Sequence, residues 1–326
     1  AGPCGGNRCA MTERPAVSAA VLAPDLGLAV TFEARPDGSD EAHVHVGGQA
    51  YWIARMLAEL DVATTVVATL GGEAGTAVGA LLGSGPFAAV RVVGTEGANG
   101  VYVHDRRDGD RTEVAQVRGA PLDRHATDDL YGAMVTSSLD ATVAVLGGPA
   151  DGGLVPDELY ERLTVELKGL GCTVVADLSG PPLGALLRGG PDLVKVSDEE
   201  LCRERLADGG DDAEVRAGIE RLQARGAASV IVTRSGGRST LASLGGRLFR
   251  VTGPVLLTTD DRGVGDSLTG AVAAALAGGD EPRRALQIGA AAAALNATRR
   301  GAGSGVGADV RALADHVEVV AEPSGA

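Results

Sequence analysis

The spacing of apolar and polar residues changes several times along the chain, and each change predicts an element. Residues 17–30 form a mostly apolar run that reads as a first strand. Residues 31–46 alternate around the turn Arg35-Pro36-Asp37-Gly38-Ser39, the pattern of a hairpin or small sheet. After Gly47-Gly48-Gln49-Ala50, apolar positions recur at helical spacing over residues 51–60. Residues 64–70 predict a strand that ends in the glycine turn 71–75 and leads to another helix, the alternation of a parallel sheet. Residues 90–93 and 100–117 read as short alternating strands, joined at 106–110, and with 31–46 they are expected to form a secondary sheet over one edge. From Leu122 the helix–strand alternation returns: helix to Leu139, strand 142–146, helix 155–170, strand 173–177, strand 193–195, helices 198–205 and 213–225, and strand 229–233. The apparent strand ends carry Gly, Ser, Asp or Thr, so their loops should converge on one crevice outside the carboxyl edge of the sheet.

One stretch organises the rest. Residues 251–257 look strand-like and feed Thr259-Asp260-Asp261-Arg262-Gly263-Val264-Gly265-Asp266-Ser267, which opens an alanine-rich run of strong helical propensity. A Gly-X-Gly turn at a helix N-terminus attracts anions, because the first amides have no internal partners and glycine lets a phosphate approach the backbone. Asp266 is planted beside that turn. A carboxylate next to a nest of N–H groups suits phosphoryl transfer, in which the base takes a hydroxyl proton while amides stabilise charge on the moving group. A simple helix cap is the competing role for Asp266.

Composition narrows the picture. Aromatics are 2% of 326 residues against 44% apolar, so the core must be built from Ala, Val and Leu. A formal charge of −14 argues against a nucleic-acid backbone as a general partner. No apolar run reaches the ~20 residues that span a bilayer. Residues 1–16 read as a disordered tail or a scar of cloning without a signal-peptide core, leaving one domain over 17–326 and a cytoplasmic location as the default. Cys4 and Cys9 lie in that tail, Cys172 and Cys202 in apparent elements, and neither a functional disulfide nor structural zinc is expected.

Gly263-Val264-Gly265-Asp266-Ser267 late in the chain and Gly47-Gly48 opening a helix early make the sequence resemble the PfkB or ribokinase family of carbohydrate kinases. So do the 290–296 run followed by Ala297-Thr298-Arg299-Arg300-Gly301, and Val175-Ala176-Asp177-Leu178-Ser179-Gly180 ahead of Leu193-Val194-Lys195. The similarity extends from about residue 21 to the end, and it is greatest to the 1-phosphofructokinase and tagatose-6-phosphate kinase branch. It implies an α/β, ribokinase-like three-layer domain with a mainly parallel central sheet and a small β lid from segments about 31–46 and 90–118. It further implies ATP as donor, Mg²⁺, a sugar or sugar-phosphate acceptor and a homodimer. Position by position, Asp266 would be the base and the amides of Gly263, Val264 and Gly265 the anion hole. Thr233, Ser235 and Gly236 would lie along the nucleotide phosphates, and Ala292, Ala293 and Asn296 would border adenine. Glu200, in Lys195-Val196-Ser197-Asp198-Glu199-Glu200, would help order magnesium.

The acceptor half departs from the family pattern. Its Gly-Gly-x-Gly-x-Asn motif reads Gly47-Gly48-Gln49-Ala50-Tyr51-Trp52, the early sugar-binding Asp falls at Gly27, and a Thr-Arg pair falls at Gly97-Ala98. Gly47, Gly48, Gln49 and Asn99 are the expected acceptor contacts, with His45 and Arg106 as further replacements. A nucleoside kinase, with Trp52 stacked on a base, and a non-catalytic binding module are the alternatives.

Overall fold

The computed structural model describes residues 17–148, 153–234, 239–259, 262–299, 303 and 305–322. Seven parallel strands make up most of a 10-stranded sheet, with β5 at its edge: β1 (Ser18–Ala23), β4 (Ala63–Leu70), β5 (Ala89–Gly94), β8 (Val143–Gly147), β9 (Thr173–Asp177), β10 (Leu193–Ser197) and β11 (Ser229–Thr233). Three antiparallel strands finish one side: β12 (Thr240–Leu244), β13 (Arg247–Thr252) and β14 (Glu318–Ala321). A separate four-stranded sheet, in the order β3-β2-β6-β7, is made by β2 (Gly27–Ala34), β3 (Asp40–Gly47), β6 (Gly100–Asp105) and β7 (Thr112–Val117).

Strands buried on both faces must be covered twice, and helices supply both layers. Alternate residues of β1 divide accordingly: Ala19 and Val21 point into one apolar cluster, Ala20 and Leu22 into the other. The first face carries α1 (Gln49–Glu59), α2 (Gly72–Gly83), α8 (Val264–Ala277), α9 (Pro282–Ala297) and α10 (Gly307–Ala314). On the second lie α3 (Arg124–Ser137), α4 (Glu158–Gly169), α5 (Gly180–Gly189), α6 (Asp198–Arg203) and α7 (Asp212–Ala224). Most alanines of α8 and α9 are buried, which lets these two helices pack closely with few aromatic residues to fill space.

The parallel sheet with a helix layer on each face and a small accessory sheet is the architecture expected, with four local corrections. The 17–30 run is two strands: Pro24-Asp25-Leu26 breaks it, sending β1 into the main sheet and β2 into the small one. Residues 90–93 belong to β5, paired in parallel with β4, and not to the small sheet, so the lid is 27–47 with 100–117. An edge strand exposed on one face alternates just as a lid strand does, which is why the pattern misleads. The expected strand over 251–257 ends at Thr252, and Val255 and Leu257 beyond it are exposed. Finally α5, β12, α10 and β14 carry no expectation from sequence. Cys172 is buried and Cys202 exposed, both as free thiols, while Cys4 and Cys9 lie outside the described residues.

Candidate active site at the mouth of the sheet

Gly263 adopts φ 67°, a left-handed conformation that favours glycine, and caps α8. The helix begins at Val264, so Asp266 is its third residue, and the amides of Val264, Gly265 and Asp266 are the unpaired donors of the first turn. Ser267 N–H already donates to Gly263 O at 2.8 Å, which closes that turn. Asn296 of α9 holds the loop from behind: its Nδ2 donates to Arg262 O at 2.6 Å, and its Oδ1 accepts from Ser267 Oγ at 3.1 Å and Gly303 N at 2.7 Å. The turn from Arg262 to Ser267 is therefore held in place by side chains of the protein itself.

Beneath it lies a row of charge. Asp177 and Lys195 are register partners on adjacent strands β9 and β10, with Lys195 Nζ 3.2 Å from Asp177 Oδ2. Thr269 Oγ1 donates to the same carboxylate oxygen at 2.8 Å. Burial pulls the Lys195 ammonium down, but Asp177, Glu200 and Asp266 together outweigh it and the group stays protonated. Burial pushes Asp266 up to about 7, with Asp177 adding to the rise and Asp25 contributing a little, while Lys195 and a hydrogen bond from Gln49 pull back.

Above Asp266 opens a cavity of about 1080 Å³ between the mouth of the main sheet and the lid. Gly47, Gly48 and Gln49 line it at the start of α1, and so do Gly97, Ala98 and Asn99. Asp25, in the β1–β2 turn, also faces it, and its Oδ1 has no hydrogen-bond partner. Burial lifts the Asp25 carboxyl to about 6. The inner face of the lid carries charge of both signs, with Arg111 and Arg118 beside Glu33, Glu41 and Glu113, and His45, His104, Arg262 and Trp52 line the same cavity. Arg111 Nη2 lies 2.9 Å from His104 Nδ1, and burial, then Arg111, Arg262 and His45, hold that imidazole down at about 4, so it is neutral at physiological pH. His45 and Trp52 stand with ring centroids 5.8 Å apart. Arg106 of the β6–β7 hairpin reaches Thr259 O at 3.4 Å, tying the lid tip to the segment that leads into the anion loop.

Several expected contacts take other places. Gly27 does not stand for the early carboxylate: a Cβ there would meet the Tyr102 ring at 2.5 Å, and Asp25, two residues earlier, faces the cavity instead. Asn99 is no free acceptor ligand. It donates to Leu26 O at 2.7 Å and Thr69 O at 2.9 Å and accepts from Gly71 N at 2.7 Å, so its amide clasps the root of the lid to the main sheet. Asn296 is 1% exposed with its amide spent on the anion loop, and Ala292 is fully buried, so neither presents a surface to adenine; Ala293 is 8% exposed. Thr233 ends β11 with Oγ1 3.4 Å from Val196 O, and Ser235 and Gly236 lie outside the described residues. Glu200 closes a capping box with Ser197, accepting from its amide at 2.7 Å. Sequence reasoning missed Asp25, because an Asp in a Pro-Asp-Leu-Gly turn carries the ordinary signal of a turn residue.

Among the described residues no three His, Cys, Asp or Glu side chains gather as a metal cage. Magnesium in phosphoryl transfer keeps most of its water and phosphate ligands and needs only one or two carboxylates. Glu200, oriented by its capping box at the carboxyl end of β10, fits that lighter role. No described helix is long and apolar enough to cross a membrane.

The chain is similar to known proteins along most of its length. The pfkB family carbohydrate kinase profile matches residues 25–308. Escherichia coli ATP-dependent 6-phosphofructokinase isozyme 2 is 26% identical over 288 residues, covering 86% of this chain and 92% of the relative. Among solved structures, phosphofructokinase-2 from Escherichia coli superposes with a TM-score of 0.78 at 22% identity, covering 92% of this chain and 99% of that one. A Thermotoga maritima protein described as a possible 1-phosphofructokinase reaches 0.80 at 15% identity, over 94% and 100% of the two chains. An Arabidopsis thaliana ribokinase solved with ribose and ATP reaches 0.73 at 21%, over 92% and 99%. With a family match over most of its length and a ribokinase-like fold, the chain belongs to the pfkB family of carbohydrate kinases, enzymes of ATP-dependent sugar phosphorylation.

Proposed function

We propose that this kinase phosphorylates a sugar that already carries a phosphate, with Asp266 as the general base. The observation behind the proposal is the placement of Asp266 in the first turn of α8, at a cavity whose lining includes Arg106, Arg111 and Arg118, able to meet a phosphate, alongside Glu33, Glu41 and Glu113, able to meet hydroxyls. An acceptor hydroxyl set between Asp266 and the amides of Val264 and Gly265 would lose its proton to the carboxylate as it attacks the γ-phosphorus of ATP. The amides would take up the negative charge of the transferring group. Gln49, hydrogen-bonded to Asp266, fixes the carboxylate's orientation. Asp25, which lines the cavity, would accept from a second acceptor hydroxyl. Magnesium, bound mainly by the nucleotide phosphates with Glu200 ordering its waters, would neutralise charge on the β- and γ-phosphates. A cytoplasmic location belongs to the same proposal, since the donor is ATP.

ADP release measured across hexoses, hexose phosphates and nucleosides tests this reading. Turnover with hexose phosphates, lost in Asp266→Asn, supports it; nucleotide binding with no product across the panel would mean a binding module on the same fold. The Trp52–His45 ring pair keeps a nucleoside acceptor as the second reading, and preferential turnover of nucleosides would select it. The lid is also proposed to join two subunits. Val44, Val114 and Val117 are more than half exposed on its edge strands β3 and β7, apolar surface that a second lid would cover.

A further inference from the structure

The buried pair behind the anion loop has no part in the steps above, yet its placement is exact in one respect: it touches the loop backbone. A Cβ built on Gly265 would sit 2.7 Å from Lys195 Nζ and 3.1 Å from its Cε, so the ammonium rests against the first turn of α8. Lys195 cannot easily swing away, because it is 8% exposed and held by Asp177, itself 1% exposed. Thr269 closes the frame. Its Oγ1 lies 2.8 Å from Asp177 Oδ2 and 3.0 Å from Gly265 O, linking the carboxylate to the same turn.

We propose that Asp177 and Lys195 are a positioning pair for phosphoryl transfer, an opposed couple of charges that sets the ionisation of Asp266 and fixes the turn bearing the anion-binding amides. The inference rests on the reading of Asp266 as the base and adds the device that tunes it. The groups facing Asp266 are Lys195 from β10, Asp177 from β9, Asp25 from the β1–β2 turn and Gln49 from α1, and Glu200 faces Lys195 from α6. Two of these carry the balance. A base desolvated beside a carboxylate would hold its proton too tightly to be ready at neutral pH, and a cation alone would make it too weak to accept one. With both present, opposite influences meet on one carboxylate. Gly265 follows from the same arrangement, since any side chain there would displace the ammonium.

The pair makes a prediction of sign that a merely structural role does not. Protein labelled with ¹³C at the aspartate carboxyls is titrated by NMR without ligands, Asp266 being assigned by the resonance missing in Asp266→Asn. Lys195→Met should raise the Asp266 midpoint by about one unit or more, since two carboxylates then face one another without the cation. Asp177→Asn should lower it, leaving Lys195 to act on Asp266 alone. Opposite shifts support the pair; no shift, or shifts of the same sign, overturn it. If Lys195→Met fails to fold, Asp177→Asn decides alone: a lowered midpoint supports the proposal and an unmoved or raised one ends it. Turnover of Asp266→Asn is measured separately. Retained turnover would remove the base reading, whereas lost turnover with unmoved titrations would remove only this inference.

Discussion

The two halves of the site differ in how completely they satisfy themselves. On the transfer side, Asn296, Ser267, Thr269, Asp177 and Lys195 find their partners inside the protein, and the loop they hold is finished without a ligand. On the acceptor side, Asp25 keeps a buried oxygen with no partner, and Trp52 lines the open cavity. A saturated network fixes geometry for a reaction that does not vary, while unsatisfied groups await the molecule that completes them. The chemistry is therefore read from the first half and the choice of acceptor from the second.

The sharpest way to break the contrast is to remove the base. Asp266→Asn should lower turnover by ~10²- to 10⁴-fold, because general-base catalysis supplies that much. ATP affinity, measured by calorimetry, should stay within a few-fold, since the isosteric amide leaves the loop intact. A variant with near wild-type turnover would show that the floor of the cavity does not do the chemistry.

The next largest effect is expected at Asp25. Asp25→Asn should lower kcat/KM for the acceptor by roughly 10- to 100-fold, the worth of a charge-assisted hydrogen bond, with KM for ATP unchanged. The same change should stabilise the free enzyme, and the pH dependence fixes the sign. The folded carboxyl titrates near 6 against an ordinary value of 3.8, so the native state favours the protonated form. Its contribution to stability is complete below about 3.8 and is lost as pH rises through 6, so wild type carries a burial penalty at pH 8 that asparagine lacks. The gap in Tm between Asp25→Asn and wild type should be wider at pH 8 than at pH 5. An equal gap at both would mean that Asp25 is solvated in the free enzyme.

The same contrast explains what was legible in the sequence. Gly263-Val264-Gly265-Asp266 marks a helix start, because a glycine turn precedes a run of strong helix formers, and the structure begins α8 at Val264. Strand–helix alternation likewise gave the parallel sheet. Asp25 and Asn99 were misread for a common reason: isolated polar residues in turns look alike whether they face ligand or clasp backbone, and only tertiary contacts separate them. Asn99 was assigned outward and turns inward; the early carboxylate position was aligned on Gly27, whereas the carboxylate that lines the cavity is Asp25. Lys195 stood inside a recognisable segment, but its partnership with Asp177 depends on strand register, which spacing does not reveal.

Two asparagines sharpen the comparison at the level of stability. Asn99→Ala strips three partners of a clasp at the root of the lid and should cost about 2–4 kcal/mol in denaturant unfolding, because buried amide and carbonyl groups are left unpaired. Asn296→Ala should cost a similar amount and should also depress kcat, since Arg262 and Ser267 are the residues it holds beside the base. If Asn99→Ala lowered kcat as much as Asn296→Ala at matched stability, the division between a structural clasp and a catalytic support would fail.

The smallest effect on chemistry is expected at the outer edge of the lid, where the consequence should fall on assembly. β7 is exposed at every position in the single chain, with Val114 and Val117 each above half exposure. An edge strand of that kind has unpaired backbone groups beside apolar side chains, and water satisfies the first but not the second. Pairing with another lid would cover both. Val114→Lys and Val117→Lys together place two like charges at the centre of such a contact, where a symmetric partner brings two more. Sedimentation equilibrium at tens of micromolar should then show a dimer for wild type and a monomer for the double variant. The lid face toward the cavity carries different residues, so turnover at saturating substrate should change by only a few-fold. Monomeric wild type would end the assembly proposal, whereas a monomeric variant that loses turnover by orders of magnitude would show that the second subunit helps to form the acceptor site.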